Sequence, residues 1–67
     1  MTIQAGRNIE KLRHARNRTR EQLAEEAGIS VSYLTRIEEG KIRHIHVKTL
    51  ARIAYVLEVA INELEKE

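Results

Sequence analysis

The chain has 67 residues and a formal net charge of +2, which is enough for one small domain, residues 1–67, with a thin hydrophobic core. It has no cysteine, so disulfides are excluded, and its stability has to come from closely packed helices, from association between chains, or from both. The first residues lead into charged sequence without a long apolar run, so we expect neither a signal peptide nor a membrane span, and we expect a cytoplasmic protein.

Helical periodicity dominates the sequence and predicts five helices in chain order. The first helix is expected over about residues 2–16, with its apolar positions on one stripe. The second begins after Thr19, because Thr19 and Gln22 have the spacing of a capping box. It ends at Gly28, because a residue without a Cβ favours the left-handed turn that closes a helix.

Ser30 is a favourable N-cap for a third helix that reaches Glu38 or Glu39. The fourth and fifth helices are expected over about residues 47–57 and 60–66. The apolar positions predicted to face inward in helices two to four are Leu23, Ala24, Ala27, Leu34, Ile37, Leu50, Ile53, Ala54 and Leu57. The predicted fold class is therefore all-α.

Positive charge is concentrated in two blocks of the chain. The first 20 residues carry six basic side chains against one acidic one, and residues 41–57 carry four basic side chains and no acidic one. Two such blocks are expected where both border a surface that faces phosphate groups. Solvated charge on the outer faces of amphipathic helices would produce the same counts, so charge alone leaves both interpretations open.

The stretch from Arg20 to Glu39 has the features of two short helices joined by a tight turn. Ala24 is small enough for the second helix to approach closely, and Gly28 permits the turn. Leu34 and Ile37 would hold the third helix at a steep angle to the second and leave its opposite face outward. A helix presented in this way fits the major groove of B-DNA, which is roughly 12 Å wide.

This stretch resembles the helix-turn-helix of the Cro/CI-type phage repressors, also called the Xre family. The matching residues are TREQLAEEAGIS at positions 19–30 and SYLTRIEEG at positions 32–40. Weaker matches extend the resemblance from Gly6 to Leu64. It implies a five-helix, lambda-repressor-like DNA-binding domain without a cofactor. It also implies a transcription regulator that binds double-stranded DNA, acts as a dimeric repressor or autoregulator on a palindromic operator, and is associated with the nucleoid when bound.

The resemblance also implies roles for individual side chains. Arg13 and Glu38 match an internal ion pair that ties the first helix to the end of the recognition helix. The positions that match base-reading, groove-facing or phosphate-contacting residues are Arg20, Ser30, Val31, Ser32, Tyr33, Thr35, Arg36, Lys41 and Arg43. Of these, Arg36 is the residue that could make two hydrogen bonds to one guanine.

Three of these positions have alternative interpretations. Arg36 could instead be a solvated charge or a partner of Glu39. Val31 could touch a thymine methyl group or belong to the periphery of the core. Tyr33 could donate to a phosphate, or it could pack against the first helix with its hydroxyl in solvent.

The sequence departs from the family pattern at three places. Arg20 stands where glutamine is frequent, which puts in doubt the contact that this glutamine makes with the recognition helix. The loop over residues 40–47 lacks the usual proline and is a residue longer, and Glu58 replaces the usual glycine after the fourth helix. The last two departures lie near the expected dimer surface. Its apolar candidates are Tyr55, Val59, Ile61 and Leu64, although some of these side chains must instead close the core.

Other functions find less support in the sequence. His44 and His46 could suggest a metal site, but with only His14 besides and no cysteine, a closed four-ligand shell would need carboxylates or a second subunit. We find no nucleophile with a base and an orienting group, so we expect no enzyme. A bulky aromatic residue that would support membrane-surface binding is missing from the first helix. The main alternative is an antitoxin or adaptor whose principal partner is another protein, such as a toxin.

Overall fold

The structure of the protein is a computed structural model that describes the backbone of residues 3–66 and the side chains of residues 5–66. This part of the chain forms five α-helices, which are α1 (Ile3–Ala15), α2 (Arg20–Ala27), α3 (Val31–Glu38), α4 (Val47–Leu57) and α5 (Ile61–Leu64). The predicted order and number of helices are confirmed. The predicted start of α1 at Thr2 lies outside the described residues.

Local hydrogen bonds at the start of α2 and α3 explain why these two helices begin where they do. The Thr19 hydroxyl accepts from the Gln22 N–H at 3.0 Å, and the Gln22 side chain accepts from the Thr19 N–H at 2.8 Å. The Ser30 hydroxyl accepts from the Tyr33 N–H at 3.0 Å. These contacts satisfy amide groups that have no partner in the first helical turn. Gly28, at φ 72° and ψ 32°, turns the chain between the two helices.

Three details of the second half of the chain were not predicted from the sequence. The Nδ1 of His46 accepts from the Lys48 N–H at 3.1 Å, so a histidine caps α4 where the usual proline is missing. Glu58 adopts the left-handed conformation, at φ 61° and ψ 42°, although it is not glycine. The helix α5 has four residues rather than the predicted seven, because Ala60 provides no side-chain cap and the chain leaves the helix at Glu65.

One hydrophobic core joins all five helices. Its buried apolar side chains are Ala5, Ile9, Leu23, Ala24, Ala27, Leu34, Ile37, Ile45, Leu50, Ile53, Ala54, Leu57 and Leu64. The burial of Leu64 corrects its assignment to the dimer surface, because a side chain that is 0% exposed closes the core under α1 and α4. The amide of Asn8 also donates to the Leu64 carbonyl at 2.9 Å and fixes α5 against α1.

Helix α1 approaches the end of α3 closely at Gly6. A Cβ on Gly6 would lie 2.0 Å from the carbonyl oxygen of Ile37, so only glycine permits this distance. Arg13 follows Gly6 on α1, and Glu38 follows Ile37 at the end of α3. Both side chains are buried. We call this contact, formed by Gly6, Arg13, Ile37 and Glu38, the α1–α3 seam. It determines where α3 lies on the body of the domain.

Candidate nucleic-acid interface

Helix α3 divides into a buried face and an outward face. Leu34, Ile37 and Glu38 are buried, whereas the residues at the start of the helix and Arg36 are exposed. Among the predicted DNA-contacting positions, the exposed ones on or beside α3 are Ser30, Val31, Ser32 and Arg36, and the half-buried ones are Tyr33 and Thr35. The structure therefore brings these positions together on one helix, with small polar groups around a single long cation.

The structure bears on the alternatives for three of these side chains. Val31 is 37% exposed and lies outside the core cluster, so it is available for contact with a groove. The ring of Tyr33 packs partly against the core. Within residues 5–66, no carboxylate lies within ion-pair distance of Arg36, and the acidic neighbour Glu39 is 3.3 Å from the Lys41 ammonium instead.

A buried ion pair holds the end of α3 against α1. The Nε of Arg13 donates to Oε2 of Glu38 at 2.8 Å, and its Nη2 donates to Oε1 at 3.0 Å. The two side chains are only 7% and 0% exposed. The remaining terminal nitrogen of Arg13, Nη1, donates to the Arg18 carbonyl at 2.9 Å. This geometry is the two-pronged arrangement in which charge-assisted hydrogen bonds are strongest.

The same carboxylate also binds Arg20, the first residue of α2. The Nε of Arg20 donates to Oε1 of Glu38 at 2.9 Å, and Nη2 of Arg20 lies 3.8 Å from Oε2 of Glu10. The hydrogen bond to Glu38 raises the pKa of Arg20 above its ordinary value, so the side chain is a permanent cation. Sequence reasoning missed both contacts. A signal existed for Glu10, because it stands three positions before Arg13 and therefore on the same side of α1.

Two further basic side chains follow the recognition helix. Lys41 and Arg43 are both exposed in the segment between α3 and α4. The Lys41 contact with Glu39 is solvent-exposed, with side chains 67% and 43% exposed, and such pairs contribute little stability. Both cations therefore remain available to an anion that approaches this side of the domain.

A second surface lies at the junction of the last two helices. Tyr55 is 85% exposed and lines an open groove of about 760 Å³ together with Val56, Val59 and Ala60, and with Arg18 and Glu26 at the side. We call the segment formed by Tyr55, Glu58 and Val59 the α4–α5 corner. Ile61 is half-buried and faces a different depression, beside His46 and Val47. Of the four predicted dimer residues, the structure thus brings only Tyr55 and Val59 into one groove.

Other kinds of site have no counterpart in the part of the chain that the structure describes. No group of three or more histidine, aspartate or glutamate side chains there could hold a metal ion. Across residues 3–66, no helix has both the length and the apolar character that a membrane crossing requires.

Comparison with known proteins agrees with this geometry. A family model described as helix-turn-helix, HTH_3, matches residues 9–64. The chain belongs to this family. The membership predicted from the sequence is confirmed, and so is the five-helix fold.

Three relatives illustrate the range of this similarity. The HTH-type transcriptional regulator SlrR of Bacillus subtilis (strain 168) is 39% identical over 59 residues, which are 88% of this chain and 39% of SlrR. SinR of Bacillus subtilis, in complex with DNA, is 29% identical with a TM-score of 0.89, covering 92% of this chain and 98% of that one. The restriction-modification controller protein C.AhdI from Aeromonas hydrophila is 27% identical with a TM-score of 0.86, covering 92% of both chains.

The lengths of these relatives differ. The chain spans 39% of the length of SlrR and nearly all of the C.AhdI chain. SinR has also been solved in complex with the protein SinI, at 31% identity and a TM-score of 0.89, covering 92% of this chain and 60% of that one. One relative with a similar domain, SinR, has therefore been solved both with DNA and with a protein.

Proposed function

We propose that this chain is a transcription regulator that binds double-stranded DNA in a sequence-specific manner and inserts α3 into the major groove. The observation that carries the proposal is the outward face of α3, which combines exposed polar side chains and Arg36 with a buried face fixed by the α1–α3 seam. Membership of the helix-turn-helix family and the solved complex of SinR with DNA support it. Regulation then operates through binding, without a catalytic step or a cofactor.

In this proposal, side chains of α3 contact the bases, and mainly residues before and after α3 contact the phosphates that position the domain on the duplex. Arg36 donates to O6 and N7 of a guanine, and Val31 touches a thymine methyl group. Shorter polar groups next to them, on Ser30, Ser32 and Thr35, accept or donate as the neighbouring base edges require. The residues assigned to backbone phosphates are Arg20, Tyr33, Lys41 and Arg43, which fix the register of the domain on the duplex.

We further propose that two copies act together on a palindromic operator. A single domain of this size contacts few base pairs, whereas two copies related by a two-fold axis read half-sites about 34 Å apart. The groove at Tyr55 and Val59 is the apolar surface assigned to this contact. Repression or autoregulation by such a dimer would depend on protein concentration, because the dimer forms by association.

Fluorescence anisotropy tests the proposal directly. The protein is titrated into DNA from upstream of its own gene and into a shuffled duplex of equal length, at two salt concentrations. We expect tighter binding to the native fragment that persists at the higher salt. Equal binding to both duplexes that disappears at the higher salt would contradict a specific operator at this location, because non-specific binding is dominated by counterion release.

A second candidate function is that of an antitoxin or adaptor whose main partner is a protein. The exposed groove at Tyr55 favours it, since a large aromatic side chain that is 85% exposed provides contact area for any protein surface. The complex of SinR with SinI shows that a relative binds a protein. Co-purification of the tagged chain with the product of a neighbouring gene, combined with weak DNA binding, would favour this function over the first.

A further inference from the structure

The carboxylate of Glu38 serves two arginines, and these two arginines are placed differently. Arg13 has Nε and Nη2 on Glu38 and Nη1 on a backbone carbonyl, and its side chain is 7% exposed. Every nitrogen of its guanidinium group therefore points into the protein. Each nitrogen of Arg13 already has a partner in the protein and the side chain is buried, so we assign Arg13 to the structural part of the ion pair.

Arg20 uses only one of its nitrogens on Glu38. Its Nε donates to Oε1 at 2.9 Å, while the nearest approach to Glu10, from Nη2, is 3.8 Å and too long for a hydrogen bond. The Arg20 side chain is 32% exposed. The Nε edge of this guanidinium group is thus fixed to the protein, while the side chain as a whole stays partly exposed and its terminal nitrogens make no hydrogen bond within the described residues.

The two carboxylates at this place hold Arg20 unequally. Glu38 is buried and hydrogen-bonded to Nε, whereas Glu10 is 42% exposed and lies 3.8 Å from Nη2. The terminal part of the Arg20 guanidinium group therefore has only a loose, solvent-exposed contact, which a phosphate can replace. Arg20 is also the first residue of α2, where the unpaired backbone N–H groups and the helix dipole favour an anion.

We propose that Glu38 is a positioning residue for DNA binding, which holds Nε of Arg20 so that its terminal nitrogens, Nη1 and Nη2, meet a backbone phosphate at the start of α2. The proposal rests on the proposed function and deepens it. A guanidinium group can do this because it carries donors on two edges, one for Glu38 and one for the phosphate. A side chain that is already held in its binding orientation loses less conformational freedom on association.

Arginine is required at this position because a lysine has one nitrogen and no rigid second edge. If the lysine ammonium group binds Glu38, its charge points into the protein and away from the phosphate. If it binds the phosphate instead, it loses the contact with Glu38 that would orient it. The proposal therefore predicts that a change from Arg20 to lysine, which conserves the charge, weakens DNA binding. A simple solvated charge at the same place would tolerate that change.

The first experiment measures the DNA affinity of Arg20→Lys as a function of salt concentration, and thermal melting checks that the variant is folded. We expect about tenfold weaker binding at moderate salt, and a slope of log K against log salt that is smaller by about one. The matched control is Lys66→Arg, an exchange of the same two cations at an exposed site outside the proposed interface, which should leave affinity and slope unchanged. Wild-type affinity and slope in Arg20→Lys would overturn the proposal.

A second measurement does not depend on how the variant folds. In nitrogen-15 NMR spectra of the wild-type protein, we expect the Nε–H of Arg20 to exchange slowly with water, and to remain protected after a DNA duplex is added. Loss of that protection in the complex would mean that Arg20 leaves Glu38 to bind DNA, which also overturns the proposal.

Failure of this inference is distinguishable from failure of the proposed function. If the wild-type protein binds no DNA, the proposed function is wrong and the salt titration of Arg20→Lys has no reference. If the wild-type protein binds DNA and Arg20→Lys matches it, only the role assigned to Glu38 is wrong.

Discussion

The α1–α3 seam and the α4–α5 corner differ in how completely contacts within one chain bury and hydrogen-bond their side chains. At the seam, Gly6 lets two backbones touch and Glu38 receives three charge-assisted hydrogen bonds while fully buried. At the corner, Tyr55 is 85% exposed, and Glu58 holds a left-handed conformation that favours glycine. The position of α3 is therefore fixed by contacts within the monomer, whereas the α4–α5 corner presents apolar surface that a second molecule can cover.

The largest expected effect comes from removing the anion of the seam. Glu38→Ala leaves the buried Arg13 without a counter-charge and should lower the free energy of unfolding by about 3–5 kcal/mol. Urea denaturation followed by circular dichroism measures this loss. The neighbouring exposed residue supplies the control, because Glu39→Ala should change stability by less than about 0.5 kcal/mol. Similar small effects for both variants would show that the seam does not stabilise the domain.

Gly6→Ala tests the close approach of the two backbones. The added Cβ would lie 2.0 Å from the Ile37 carbonyl oxygen, so α1 and α3 have to separate, and we expect a loss of about 3 kcal/mol. The same denaturation experiment applies, with Lys11→Ala on the exposed side of α1 as control. Because alanine has the higher helix propensity, a more stable Gly6→Ala protein would mean that the two helices are not in contact at this point.

Arg36→Ala tests the DNA-reading role of the outward face of α3 without disturbing the packing of α3 on the domain. Since Arg36 is exposed and the seam is untouched, stability should be unchanged. Specificity at one base pair should fall by about 1–3 kcal/mol, measured by competition between operator variants. Lys41→Ala is the companion variant, which should weaken binding to all duplexes and lower the salt slope by about one. If the base preferences of Arg36→Ala matched those of the wild type, another side chain would be reading the sequence.

Tyr55→Ala tests whether the corner is covered by a second copy. We expect dimer dissociation to become easier by about 1–2 kcal/mol, seen by sedimentation velocity, because exposed aromatic residues at the centre of a contact contribute most of its affinity. Val47→Ala, which removes another exposed apolar side chain away from this groove, should leave association unchanged. A wild-type association constant in Tyr55→Ala would exclude the groove as the dimer surface.

The smallest expected effect has the opposite sign. Glu58→Gly relieves a left-handed conformation that costs a residue with a Cβ about 1–2 kcal/mol, and the greater freedom of glycine in the unfolded chain offsets part of this. We expect a net stabilisation of about 0.5–1 kcal/mol in thermal melting. Glu58→Gln controls for the removal of negative charge at the end of α4, and an equal gain in that variant would show that charge rather than backbone strain limits this turn.

The amino-acid sequence by itself determined the parts of this protein that depend on neighbours a few residues apart. The capping box of Thr19 and Gln22, the cap at Ser30 and the turn at Gly28 follow from contacts within one helical turn, so the bounds of α2 and α3 were predictable. The bounds of α4 were predicted correctly as well, although its cap at His46 was not. The resemblance to a known family supplied the pairing of Arg13 with Glu38, which spacing alone does not give.

Tertiary structure decided everything that depends on residues far apart in the chain. Glycine at position 6 disfavours a helix locally, and its reason is a carbonyl group at the end of α3. The second cation on Glu38 comes from α2, and no short-range pattern joins Arg20 to it. Leu64 and Tyr55 were both apolar candidates for the dimer surface, yet one is 0% and the other 85% exposed. Local preference determines where helices begin and end, whereas burial and ion pairing are set by how the helices pack.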